Sequence, residues 1–127
     1  MVTEAQQKPL IEECNKWYDT LASYREKINK LKNELYYFAP GKTDTEVLLG
    51  IEHFHSQFHI QLINIHDLKQ AIKAHDRKIN FEKVAFNGSA NEDSYTRHES
   101  LAEELQSLEQ TLQGLRQEFN DFLNRAN

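Results

Sequence analysis

The stretch LAEELQSLEQTLQGLRQEFNDF, residues 101–122, decides the fold of this chain. Its apolar side chains recur at alternating steps of four and three residues, at Leu101, Leu105, Leu108, Leu112, Leu115, Phe119 and Phe122. Because an α-helix has 3.6 residues per turn, this spacing places all seven on one stripe. Nearly every intervening residue is polar or charged, so the stretch predicts a helix that buries one face.

Two earlier stretches carry the same kind of stripe. The first contains Leu10, Cys14, Trp17, Leu21, Tyr24, Ile28, Leu31, Leu35 and Phe38. The second contains Val47, Ile51, Phe54, Phe58, Leu62, Ile65, Leu68, Ile72 and Ile79. Together the three patterns predict helices over about residues 8–38, 44–83 and 92–125, with a loop at 84–91.

Local signals predict where these helices begin. Lys8-Pro9 favours a start near residue 8, because proline is tolerated in the first turn of a helix. Thr43 and Glu46 have the spacing of a capping box, which predicts Thr43 as the N-cap of the second helix. A second box is predicted between Ser89 and Glu92.

One amphipathic helix cannot cover its own apolar stripe, so the three helices are expected to cover one another. Short connections make sequential neighbours antiparallel. The sequence therefore predicts an all-α fold. It consists of a single domain over residues 1–127, with three long antiparallel helices in an up-down-up bundle and coiled-coil-like packing.

Composition narrows the classes of function. The 127-residue chain has a net charge of −5, which argues against nonspecific binding to nucleic acid. No segment approaches the roughly 20 apolar residues needed to cross a bilayer, and the N-terminus does not resemble a secretory signal, so no membrane association is expected. The single cysteine, Cys14, occupies a core position and favours a reducing, cytoplasmic location.

No catalytic triad or glycine-rich phosphate loop is present in the sequence, and no cofactor is predicted. The expected function is therefore non-enzymatic, through contacts with a protein partner or with a second copy of the chain. Ile60 and Ile63 fall outside the main stripe of the second helix. They are the predicted contact residues, in a homodimer for example.

An alternative function comes from the histidines, five of which lie in the second helix. Glu52 and His55 have a spacing used by metal-binding carboxylate bundles, and His59 lies one turn beyond His55. These three residues are candidate metal ligands, with further ligands expected from another helix, such as His98. The clustered histidines are also compatible with a pH-sensitive surface.

A second alternative rests on four residues. His66-Asp67-Leu68-Lys69 resembles the histidine box of two-component histidine kinases and the His-x-x-Lys pattern of histidine phosphotransfer domains. The resemblance implies that His66 accepts a phosphoryl group, with Asp67 and Lys69 assisting. The remaining histidines of this helix, His53 and His75, are predicted to point away from the ridge that carries His55, His59 and His66.

Overall fold

A computed structural model describes the backbone at residues 4–86 and 91–126, and the side chains at 10–86 and 91–126. It contains three helices, α1 (Glu4–Phe38), α2 (Thr45–Ala85) and α3 (Glu92–Ala126), which pack against one another. These residues include no strand, so the predicted all-α bundle is confirmed. Within them, no helix carries an apolar run that would reach across a lipid bilayer.

Aromatic contacts at the two ends of the bundle give the directions of the helices. Trp17, near the start of α1, stacks on His98 near the start of α3, with ring centroids 4.4 Å apart. Phe38, at the end of α1, contacts Phe122 near the end of α3. Phe54, near the start of α2, contacts the same Phe122 ring. Helices α1 and α3 therefore run parallel and α2 runs antiparallel to both, in the predicted up-down-up order.

The helix starts differ in detail from those predicted. Helix α1 begins at Glu4 and passes through Pro9, rather than beginning near residue 8. Proline has a helical φ, so the helix can continue through Pro9, although this residue donates no backbone hydrogen bond and its ring crowds the carbonyl four residues earlier. The N-cap of α2 is Asp44 rather than Thr43, because the Asp44 carboxylate accepts from two backbone N–H groups of the first turn.

The connection between α2 and α3 is also shorter than predicted. Helix α2 continues to Ala85, two residues beyond the expected limit. Helix α3 begins at Glu92, and the side chain of Asn91 caps it by accepting from the N–H of Asp93 at 2.9 Å. The capping residue predicted from sequence, Ser89, lies outside the described residues.

The buried face of each helix follows an unbroken series of steps of four and three. In α2 the buried residues are Phe54, Phe58, Gln61, Ile65, Leu68, Ile72, His75, Ile79 and Glu82. In α3 the series predicted from Leu101 extends backwards to Ser94 and His98. Four residues expected in the core, Phe38, Val47, Ile51 and Leu62, are only partly buried.

The two ends of the core differ in chemistry. One end is aromatic and is formed by Phe38, Phe54, Phe58, Phe119 and Phe122. The other end contains most of the buried polar side chains, on the last part of α2 and the first part of α3. Phe58 and His75 are 17 residues apart on one helix, so about 25 Å separates the two ends. The polar end contains the candidate site.

Candidate metal centre at the polar end of the core

Three side chains of metal-binding type meet in the core, and each comes from a different helix. They are Cys14 on α1, His75 on α2 and His98 on α3, which are 0%, 4% and 5% exposed. All three occupy positions in the buried series of their helices. Because α2 is antiparallel to α1 and α3, its last third lies beside the first third of the other two, and this brings the three residues to one level.

The three side chains are close enough to share one ion. The Nε2 atom of His75 lies 3.0 Å from the Nδ1 atom of His98. One potential ligand atom from each of Cys14, His75 and His98 lies within 4.8 Å of the other two. In a tetrahedral zinc site with Zn–N of 2.0–2.1 Å and Zn–S of 2.3 Å, neighbouring ligand atoms are roughly 3.3–3.6 Å apart. Small side-chain movements would therefore produce a coordination geometry.

The environment favours the neutral form of both imidazoles. Burial, together with the charge of His98, lowers the pKa of His75 to about 4. Burial also lowers the pKa of His98, although the Glu13 carboxylate opposes part of that shift. A neutral imidazole has a free lone pair on one ring nitrogen, which is the form that binds metals.

The thiol of Cys14 is protonated at neutral pH. Burial raises its pKa to about 12, and the negative charges of Asp76 and Glu13 contribute. This thiol is therefore a poor nucleophile in the protein as it stands. A metal ion would bind the thiolate and release one proton to solvent.

Two nitrogen atoms of this cluster have no hydrogen-bond partner among the described residues. They are Nδ1 of His75 and Nε2 of His98, and both are buried. The nearest acidic atom to His98 Nε2 is Oε2 of Glu13 at 3.5 Å, which is within ion-pair range but longer than a good hydrogen bond. Since an unpaired buried polar group costs about 1–3 kcal/mol, the histidine pair lowers the stability of the fold.

Trp17 covers one side of the cluster. Its indole stacks on the His98 imidazole with an interplanar angle of 26°. Trp17 is buried and is the one tryptophan of the chain. Its fluorescence therefore reports directly on the state of His98.

A second buried polar cluster lies next to the site and fixes the start of α3. The Glu82 carboxylate accepts from the hydroxyl of Ser94 at 2.7 and 2.9 Å and from the backbone N–H of Asn91 at 3.0 Å. These bonds satisfy donors at the N-terminus of α3, where a negative charge is also favourable. Ser94 is one turn before His98, so the cluster helps to position that histidine.

The residues predicted as metal ligands from sequence lie elsewhere. Glu52, His55 and His59 are all exposed on α2. In the portion of the chain that the structure describes, the group formed by Cys14 and the two buried histidines is the one set of three or more potential ligands brought together. Among the described residues, no group of potential ligands from other helices forms around Glu52, His55 and His59. This site stays a prediction.

The other predicted functional residues are on the surface of α2. His66 is exposed and lies beside a shallow groove that also contains Arg25 and Lys69. Its role as a phosphoacceptor stays a prediction. Ile60 and Ile63 are 43% and 46% exposed, so both are accessible for contacts.

The sequence-based predictions did not include His75 among the core residues, and they placed Cys14 in the core without assigning it to a site. His75 lies in the core, away from the exposed His55, His59 and His66, and no site was predicted there. Cys14 is buried as predicted, but its histidine neighbours were not foreseen. The signal that could have found His75 is the step of three from Ile72 and of four to Ile79, which places it on the buried face.

Comparisons with protein-family models, with curated proteins and with solved structures found no match to this chain.

Proposed function

We propose that this protein is a non-enzymatic metal-binding bundle that holds one divalent transition-metal ion, zinc in the first instance, through Cys14, His75 and His98. The observation that supports this proposal is the meeting of three buried ligand-type side chains, one from each helix, within 4.8 Å. A mixed sulfur and nitrogen donor set is typical of zinc sites. Solvent would supply a fourth ligand.

The burial of the site favours binding over catalysis. The three side chains are buried and Trp17 stacks on His98, so a substrate larger than a water molecule would have little access to the ion. An ion held by all three helices would instead cross-link them. Its binding free energy would add to the stability of the folded state, since the unfolded chain holds no preformed site.

The experiment is a titration of chelator-treated protein with Co²⁺ and then Zn²⁺. We expect one ion per chain, a thiolate-to-cobalt charge-transfer band, a change in Trp17 fluorescence, and a rise in melting temperature with Zn²⁺. Cys14→Ala and His75→Gln should abolish the band and the stabilisation. Circular dichroism without metal shows whether each variant still folds.

The matched controls are His55→Gln and His59→Gln, which change exposed histidines of α2 and should leave both signals unchanged. The proposal fails if the wild-type chain binds no ion. It also fails if Cys14→Ala binds like wild type. Loss of binding in the two control variants alone would instead support the surface site predicted from Glu52, His55 and His59.

A second proposed function is self-association through the outward face of α2. Leu49, Ile60 and Ile63 are 60%, 43% and 46% exposed and lie within about 60° of one another around the helix. A two-fold axis would place this apolar face against the same face of a second copy. Light scattering should then give a dimer mass for wild type and a monomer mass for an Ile60→Lys, Ile63→Lys variant. A monomeric wild-type mass would contradict this proposal.

We also propose a cytoplasmic location, because a reducing compartment keeps an unpaired thiol available for metal binding. The net charge of −5 makes nucleic acid an unfavourable partner.

A further inference from the structure

We infer that Glu13 is a positioning residue, which holds the His98 imidazole in the tautomer and orientation needed for coordination. The inference rests on the proposed metal-binding function and adds a residue to it. Glu13 immediately precedes Cys14 on α1, so the chain that supplies the sulfur ligand also supplies a carboxylate at the edge of the site.

The geometry separates the two nitrogen atoms of His98. Its Nδ1 faces the second histidine, at 3.0 Å from Nε2 of His75. Its Nε2 faces the Glu13 carboxylate, at 3.5 Å from Oε2. One nitrogen therefore points into the cluster of ligand atoms, and the other points to an acceptor on α1.

The acceptor decides which tautomer is favoured. A carboxylate oxygen can only accept, so the His98 nitrogen next to Glu13 is stabilised when it carries the proton. The proton on Nε2 leaves the lone pair on Nδ1, and this is the atom directed towards His75. Glu13 thus favours the form of His98 that can bind an ion between the two imidazoles.

The half-exposed position of Glu13 suits this role. Its side chain is 49% exposed, so the carboxylate can move the few tenths of an ångström that turn a 3.5 Å approach into a hydrogen bond. Metal-binding histidines usually donate their second N–H to a carboxylate, a carbonyl or water, and removing such a partner lowers metal affinity by roughly 10–100-fold. The corresponding nitrogen of His75, Nδ1, has no hydrogen-bond partner among the described residues, whereas the Glu13 carboxylate lies 3.5 Å from Nε2 of His98.

Glu13 could affect metal binding in two opposite ways. Burial, Asp76 and then Glu13 raise the pKa of the Cys14 thiol. If Glu13 acted on the site only by hindering loss of the thiol proton, its removal would strengthen metal binding. A positioning role predicts the opposite result.

The test compares Glu13→Ala and Glu13→Gln with Glu12→Gln, which changes the exposed neighbouring glutamate. We expect the Co²⁺ and Zn²⁺ affinity to fall by roughly 10–100-fold in Glu13→Ala, with partial rescue in Glu13→Gln, which keeps an oxygen acceptor. Glu12→Gln should bind like wild type. In metal-free protein, the ¹⁵N chemical shifts of His98 should report the Nε2–H tautomer in wild type and a mixture in Glu13→Ala.

Two results separate this inference from the proposed function. If wild type and Glu13→Ala bind metal equally while Cys14→Ala does not bind, the metal centre stands and the role of Glu13 is refuted. If wild type binds no metal, the proposed function fails and the inference fails with it. An affinity gain in Glu13→Ala also refutes positioning.

Discussion

Mild acid should destabilise the metal-free bundle because the buried histidines resist protonation. The pKa of His75 is lowered from 6.5 to about 4, chiefly by burial. Between these values the unfolded chain binds a proton at this residue and the folded chain does not, so the free energy of unfolding falls as the pH falls. The stabilisation is fully present above pH 6.5 and is lost progressively towards pH 4.

The magnitude follows from the shift. One pKa unit corresponds to about 1.4 kcal/mol, so full expression of the His75 shift is about 3 kcal/mol. Between pH 7 and pH 5, His75 alone should lower the free energy of unfolding by about 2 kcal/mol. The lowered pKa of His98 acts in the same direction.

The assay is urea denaturation followed by far-ultraviolet circular dichroism, at several pH values between 7 and 5 and with a chelator present. The quantity compared is the slope of the free energy of unfolding against pH. Wild type is compared with His75→Gln, which lacks the buried histidine, and with His59→Gln, which lacks an exposed histidine. We expect a clearly flatter profile in His75→Gln alone. Equal slopes in wild type and His75→Gln would refute the reasoning, whatever the absolute stability of the variant.

Four further substitutions test stability, each measured by urea or thermal denaturation. Gly50→Ala should cost about 1–3 kcal/mol, because a Cβ there would overlap the Phe122 ring. Gly114→Ala, where a Cβ meets open space inside α3, should instead stabilise by about 0.5–1 kcal/mol; the same sign for both would contradict this account. Asp44→Ala should lower the free energy of unfolding by about 1 kcal/mol, because the N-cap of α2 is lost. An unchanged free energy of unfolding would show that Asp44 does not stabilise the start of α2. Glu82→Gln should cost about 1–3 kcal/mol, because the buried carboxylate accepts from donors at the start of α3, and an unchanged stability would show those bonds to be dispensable.

Some features of the fold could be predicted because they depend on local spacing. Steps of four and three, as from Leu101 to Leu105 and Leu108, place apolar side chains on one helical face whatever the surroundings. The existence of the three helices follows from this spacing, and their up-down-up order follows from the short connections. Helix ends were predicted less well, because adjacent residues such as Thr43 and Asp44 can both cap a helix, and only the backbone geometry selects between them.

The candidate site could be predicted only in part. Polar side chains interrupt the hydrophobic pattern of α2, so the sequence alone does not show that the buried series continues from Ile72 through His75. The spacing of His55 and His59 is visible in the sequence because both lie on one helix. The cluster of Cys14, His75 and His98 has no such signature, since each of the three helices contributes a single residue.

By itself, the sequence determined three amphipathic helices and their antiparallel order, because periodicity and short connections are properties of the chain. Tertiary structure alone decided that Cys14, His75 and His98 meet. Their proximity depends on how far each helix is displaced along its neighbours, and that displacement is set by the packing of all three buried faces together. A shift of one turn, about 5.4 Å, would keep every helix intact and separate the three side chains.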